Sequence, residues 1–262
     1  MEHCRPPAVA GTFYPSDSKV LLSMVEELLE RAPQVKLPSV PKAFIVPHAG
    51  YIYSGPIAAK AYKILSSMRE QINTVVLIGA SHYVSFEGLA LSRESCWETP
   101  LGSVDIDLEL LEKIKEDIFV LPEAHQKEHS LEVQIPFLQV SLQKKFKILP
   151  LITGGHSADK VEVVLEKLWG QPGVFFLISS DLSHYLPYEI AKEKDLETTR
   201  NILAKNYQAL SYEDACGRTP IVGLLKFLKN RQEEVVVLDV KNSGDITGLK
   251  SEVVGYGAYA VV

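Results

Sequence analysis

Three apolar runs in this chain end on histidine: Phe44-Ile45-Val46-Pro47-His48, Val75-Val76-Leu77-Ile78-Gly79-Ala80-Ser81-His82 and Phe175-Phe176-Leu177-Ile178-Ser179-Ser180-Asp181-Leu182-Ser183-His184. Each reads as a buried strand emptying onto a polar group. In open sheets of alternating strands and helices, ligands bind beyond the carboxyl ends of the strands, so the three endings are expected to share one pocket. Neutral imidazole ligates zinc, iron and copper, which makes His48 and His82 candidate metal ligands. Asp181 is spaced from His184 so that its carboxylate either orients that ring or caps the loop backbone. His184 is then a candidate proton carrier, with Asp181 as its catalytic partner.

Other polar groups carry weaker signals. Glu128, His129 and Glu132 fall within one helical turn, and His129 and Glu132 share a face, although a solvated or capped helix end near Ser130 accounts for them equally. Arg218, in Cys216-Gly217-Arg218-Thr219-Pro220, either meets an anionic group or belongs to the turn that starts a helix. His129 and Arg218 are thus candidate substrate contacts. His125 and His156 read as loop residues and His3 as part of a tail. Gly255-Tyr256-Gly257-Ala258-Tyr259-Ala260 imitates a dinucleotide fingerprint, yet no helix follows it. Phosphate loops, His-Glu-x-x-His and Gly-x-Ser-x-Gly are absent from the sequence, which removes support for serine hydrolase chemistry.

The surrounding pattern supplies the elements that must hold these groups. Apolar residues at helical spacing predict helices over 18–31, from Ser54 to about Met68, and over 107–117, 128–143, 158–169, 188–204 and 220–230, with Pro136 expected to kink the fourth or mark a restart. Short apolar runs predict strands at 43–46, 74–78, 88–91, 146–152, 174–179, 234–240 and 252–262, with a polar loop at 241–245. Strands alternating with helices, and no linker or repeat, point to a single α/β domain over 1–262. Its central sheet, mixed but mostly parallel, is flanked by helices on both faces.

Bulk composition excludes several classes. The 27 basic and 33 acidic residues give a formal charge of -6, which offers no footprint for nucleic acid. No stretch approaches eighteen uninterrupted apolar residues, and the start lacks a basic-then-apolar leader, so neither membrane insertion nor export is expected. Cys4, Cys96 and Cys216 are odd in number and widely spaced, which suggests no disulfide framework and fits a reducing cytoplasm.

Taken together, Ala10-Gly11-Thr12-Phe13-Tyr14, His48-Ala49-Gly50-Tyr51, Ser81-His82, Glu128-His129-Ser130-Leu131-Glu132, Ser179 to His184 and Cys216-Gly217-Arg218 resemble the Memo family along nearly the whole chain. The resemblance implies a fold like that of class III extradiol dioxygenases, non-haem iron enzymes that open catechol-type rings. It also implies a pocket at His48, His82, Asp181 and His184. One departure stands out: animal members place a cysteine in the loop before the last strand, where the dioxygenases have a metal-binding glutamate. This chain has Asn242-Ser243-Gly244-Asp245 there. Asp245 then either completes a two-histidine, one-carboxylate set with His48 and His82, the arrangement that holds ferrous iron, or caps its own turn.

Two functions follow as expectations. In the first, ferrous iron or another divalent transition metal sits on His48, His82 and Asp245 and serves an oxidoreductase of the ring-opening type. In the second, the same cleft binds a peptide or small ligand without turnover, as the adaptor role of animal members implies.

Overall fold

Apolar residues alternate along the central strands, and the two sets face opposite helical layers. The computed structural model describes residues 4–262, so the expectation for His3 lies outside the described residues. Strands are β1 Cys4–Arg5, β2 Ala43–Val46, β3 Thr74–Ala80, β4 Leu89–Leu91, β5 Cys96–Thr99, β6 Gly102–Ile106, β7 Phe119–Val120, β8 Lys147–Thr153, β9 Val174–Ser179, β10 Val235–Asn242 and β11 Gly255–Val261. Helices are α1 Ser18–Arg31, α2 Tyr51–Ser67, α3 Leu108–Glu112, α4 Pro122–Gln126, α5 Gln134–Leu142, α6 Ala158–Leu168, α7 Tyr188–Leu203, α8 Arg218–Leu228 and α9 Ser243–Thr247. One sheet runs β1-β5-β6-β8-β3-β9-β2-β11-β10, with β4 and β7 attached at the end of β8. The strands from β6 to β2 pair in parallel, and β11 and β10 close one edge antiparallel. This is the mixed α/β architecture that the sequence pattern predicts.

In β3, Val75 and Leu77 pack with the layer of α1, α2 and α5, while Val76 and Ile78 pack with α6, α7 and α8. The twofold side-chain period of a strand makes this division, and it explains why the strands read as unbroken apolar runs. Because β2, β3 and β9 are neighbours and parallel, the residues after them emerge at one end of the sheet.

Several boundaries differ from the sequence pattern for local reasons. Helix α2 starts at Tyr51, not Ser54, because the Tyr51 amide finds the Phe13 carbonyl at 2.8 Å. The segment 128–133 is not the first turn of a helix; it runs as loop and turn, and α5 begins only at Gln134. Pro136 therefore sits in the first turn of α5, where its missing N–H breaks no bond, so it marks the start of a helix, the second of the two expectations, rather than a kink within one. Helix α3 is limited to 108–112, and the expected loop at 241–245 is the end of β10 followed by α9. Strands β1, β5, β6 and β7 and helix α4 lie in segments where the pattern predicts no element.

The cysteine pattern, read as suggesting no disulfide framework, conceals one bond. Cys4 and Cys96 form a disulfide, their Cα atoms 4.4 Å apart, and Cys216 is free. Spacing of 92 residues carries no signal for such a pair; the register of β1 on β5, Cys4 opposite Cys96, brings it together. No helix among the described residues is long and apolar enough to cross a membrane.

Arg5 and Glu132 tie the first strand to the segment before α5. The Arg5 guanidinium, 3% exposed, meets a Glu132 carboxylate that is fully buried, at 2.6 Å. Glu132 also accepts bonds from the amides of Ala8 and Val9 and from the Tyr14 hydroxyl. Removing one partner strands a buried charge, so Arg5→Ala is expected to cost about 3 to 5 kcal/mol. Urea unfolding of wild type and variant checks this, and a loss below about 1 kcal/mol would show that water reaches Glu132.

Candidate functional site

The pocket assembles three imidazoles from three different segments. His48 follows β2, His82 follows β3, and His129 lies in the loop between α4 and α5; their ligand atoms all lie within 4.8 Å of one another. Ring centroids are 5.1 Å apart for His48 and His82, 5.3 Å for His48 and His129, and 4.7 Å for His82 and His129.

Hydrogen bonds fix which nitrogen of two rings carries the proton. The Ser179 hydroxyl donates to the Ser130 carbonyl at 2.6 Å and accepts from the Gln134 amide at 2.9 Å. At 2.9 Å from His48 Nδ1 it can only accept, so Nδ1 carries the proton and Nε2 keeps its lone pair. In the same way the Glu128 carboxylate takes the His82 Nδ1 proton at 2.9 Å, and the His82 amide at 2.7 Å. His82 Nε2 is left as the acceptor. His129 Nδ1 is buried without a hydrogen-bond partner. Three imidazoles, two with preset lone pairs and one with an orphaned nitrogen, form a donor set suited to a transition metal.

Burial and neighbouring charge separate the titrating groups. Burial, then the charges of His82 and His129, holds His48 well below the usual histidine value, and burial takes His129 down to about 4. Burial also opposes charge on His82, yet the hydrogen bond and charge of Glu128 raise it above the ordinary value. Glu128 sits at about 2: burial works to raise it, and the His82 bond with the charges of His82 and His129 overcomes that. Asp181, 4% exposed, is pushed by burial up to about 7 against the opposing pull of the His48 amide and His82. Burial also lowers His184.

A cavity of about 580 Å³ opens over the histidines. Its walls include Phe13, Tyr53, Tyr185 and Tyr256, the carboxyl groups of Asp181 and Glu252, and His184; no Lys or Arg lines it. A second cavity of about 390 Å³ reaches His82 from the other side, past Cys216 and Tyr212.

The residues singled out in the sequence do not all meet. His48, His82, Asp181 and His184 share the cavity, and His129, expected as a substrate contact, is the third ring of the cluster. Asp245 does not join His48 and His82. Its carboxylate accepts from the Asn242 amide at 2.9 Å and the Tyr188 hydroxyl at 2.6 Å, in the capping box of α9, and Ser243 faces the cavity in its place. The alternative that Asp245 caps its own turn is the arrangement observed. Arg218 donates to the Leu210 carbonyl at 2.7 Å and stacks on Tyr212 at 4.5 Å, so its charge is engaged away from this cavity. Asp181 bonds the His48 amide at 2.7 Å rather than the His184 ring.

Two participants, Glu128 and Cys216, are not among the candidate site residues read from the sequence. Glu128 looked like a helix-end carboxylate. Cys216 puts its sulfur 3.2 Å from His48 Nε2, and burial followed by the charge of Asp181 pushes its thiol pKa up. Gly217 permits that approach, because a Cβ there would stand 2.4 Å from Ser180 Cβ and 2.7 Å from the Ser179 carbonyl oxygen.

Comparison with known proteins gives the lineage. Residues 5–260 match the family described as Memo-like protein. A MEMO1 family protein of Aquifex aeolicus is 39% identical, covering 96% of this chain and 97% of its own length. One from Methanocaldococcus jannaschii is 38% identical over the full length of both chains, and one from Sulfolobus acidocaldarius is 37% identical, with 96% and 97% covered. The chain belongs to the Memo family.

Asp181 supplies a test of the site's electrostatics. Free aspartate loses its proton near 3.9, whereas folded Asp181 holds it to about 7. Between these values the folded state binds the extra proton, so this residue's contribution to stability falls as pH rises. Relative to wild type, Asp181→Asn is therefore expected to gain stability between about pH 5 and about pH 8. Urea midpoints at both pH values check it; a difference that stays constant would mean that Asp181 does not titrate in this window.

Proposed function

We propose that this Memo-family chain holds one divalent transition-metal ion on His48, His82 and His129 and presents it to a small-molecule ligand in the cavity above. The observation that carries this is the pair of preset imidazoles, each with its Nδ1 proton given to a buried acceptor and its Nε2 lone pair free of a proton, that of His48 facing the Cys216 thiol at 3.2 Å. A bound ferrous or similar ion supplies Lewis acidity and open coordination positions, the requirement of the oxidoreductase chemistry that the family resemblance implies. Around it the chain orients, excludes water and moves protons. Ser179 and Glu128 fix the two rings. Phe13 packs on His129 with centroids 4.7 Å apart and covers it from solvent. Asp181, its Oδ2 3.9 Å from His48 Nε2 and its carboxyl raised by burial to about 7 in the metal-free protein, is placed to hold or release a proton beside the cluster, as a general acid or base requires. His184, on the same wall, is the second proton carrier.

A binding role without turnover draws on the rim, where Tyr185 is 72% and Leu249 71% exposed, as in surfaces that dock peptides. The lining does not favour a phosphorylated ligand, because it offers two carboxyl groups and no fixed cation. Oxygen uptake on catechols against ligand binding by metal-free protein separates the two roles.

Anaerobic reconstitution with ferrous iron is expected to load one ion per chain. His48→Ala should abolish loading, and Glu128→Gln should weaken it by about 10- to 100-fold by loosening His82. Asp245→Asn should bind as wild type does. Equal loading of wild type and His48→Ala, read by metal analysis after desalting, would remove the proposal.

A further inference from the structure

We infer that the Cys4–Cys96 disulfide is a redox-sensitive clasp on the segment that carries the histidine cluster. Among the described residues strand β1 pairs two with β5, a ladder too short to hold itself at the sheet edge. Its next residue contact is Arg5, which reaches past the sheet into the segment 125–132. Arg5 donates to the His125 carbonyl at 2.9 Å, to the Glu128 carbonyl at 2.6 Å and to Glu132 at 2.6 Å, while its guanidinium lies 4.3 Å over Trp97, the neighbour of Cys96. Glu128 is the residue whose side chain holds His82.

The chain then returns to the same segment. The Ala8 and Val9 amides and the Tyr14 hydroxyl bond to Glu132, and Phe13 packs against His129 with the two rings tilted by 46°. Residues 4–14 thus form a strap fixed at one end by a covalent bond and laid at the other against the cavity wall. Segments at a sheet edge with short ladders open at low free energy unless tied down, and a cross-link is such a tie. Cys4 is half-buried and open to a reductant, whereas Cys96 is buried. A dithiol that cleaves the bond supplies two electrons and two protons and leaves as its cyclic disulfide, giving two thiols on the chain. With the tie gone, opening of the strap releases Arg5 from the Glu128 carbonyl and Phe13 from His129.

The regulation of metal affinity rests on the metal reading above, whereas the opening of the segment does not, so two measurements are paired. Hydrogen exchange on metal-free protein compares the oxidised chain with the same sample after reduction, and with Cys96→Ser. Amides of Ala8, Val9, His129 and Ser130 are expected to exchange at least about tenfold faster without the bond. Cobalt(II) titration, read by its absorption, is expected to show about tenfold weaker binding by the reduced chain, with recovery on reoxidation. Unchanged exchange over 125–132 overturns the clasp even if residues 4–9 loosen. Equal cobalt affinity in the two redox states also overturns it. If neither state binds cobalt, the metal reading fails, and exchange alone decides the clasp.

Discussion

Glu128 accepts hydrogen bonds from the amides of His82, His129 and Ser130 and from the His82 ring, at 1% exposure. A buried carboxylate is tolerated only when such donors replace its water. Here the donors come from two segments, the end of β3 and the loop before α5, so satisfying the charge also brings His82 and His129 together. The same requirement explains why residues 128–133 are not helical. In a helix the His129 and Ser130 amides would lie at its start without converging on one carboxylate, and Glu128 would lose the bonds that make its burial possible.

The strand half of the site was legible in the sequence. Apolar runs ending at His48, His82 and His184 predicted parallel strands and a shared pocket, and β2, β3 and β9 deliver it because neighbouring parallel strands end on the same side. The loop half was not. Glu128-His129-Ser130-Leu131-Glu132 fits helical spacing, and nothing local reveals that Glu128 bonds back across 46 residues or that Glu132 collects donors from residues 5–14. Long-range satisfaction of buried charge overrides local periodicity, and a single sequence records the periodicity alone. The Cys4–Cys96 bond was hidden for the same reason.

The exchange of Asp245 for His129 in the cluster follows from helix capping. Asn242 and Asp245 stand three apart at the start of α9, where each side chain satisfies the other's backbone amide, and Tyr188 takes a remaining Asp245 lone pair. A carboxylate so engaged has little left to offer a metal. His129 brings in an imidazole whose Nδ1 lacks a hydrogen-bond partner and lies 3.4 Å from Glu128 Oε1. The set changes from two imidazoles and a carboxylate to three imidazoles, which would leave a divalent ion held there with its charge uncompensated by its ligands.

That uncompensated charge gives the two carboxyl groups of the pocket distinct work. Glu128, locked by four donors at a pKa of about 2, stays ionised and offsets charge through His82. Asp181, buried with fewer donors at a pKa of about 7, changes state near neutrality. Pairs of acids driven apart by their surroundings are how one site keeps a fixed charge and a mobile proton together. A cation on the cluster would pull the Asp181 pKa back down from about 7, because an opposite charge favours the ionised form. Occupancy of the histidines and the proton on Asp181 are therefore linked through a separation of only a few ångströms. A ligand that delivers a proton on binding has an acceptor beside the metal ligands that is most available when the centre is filled.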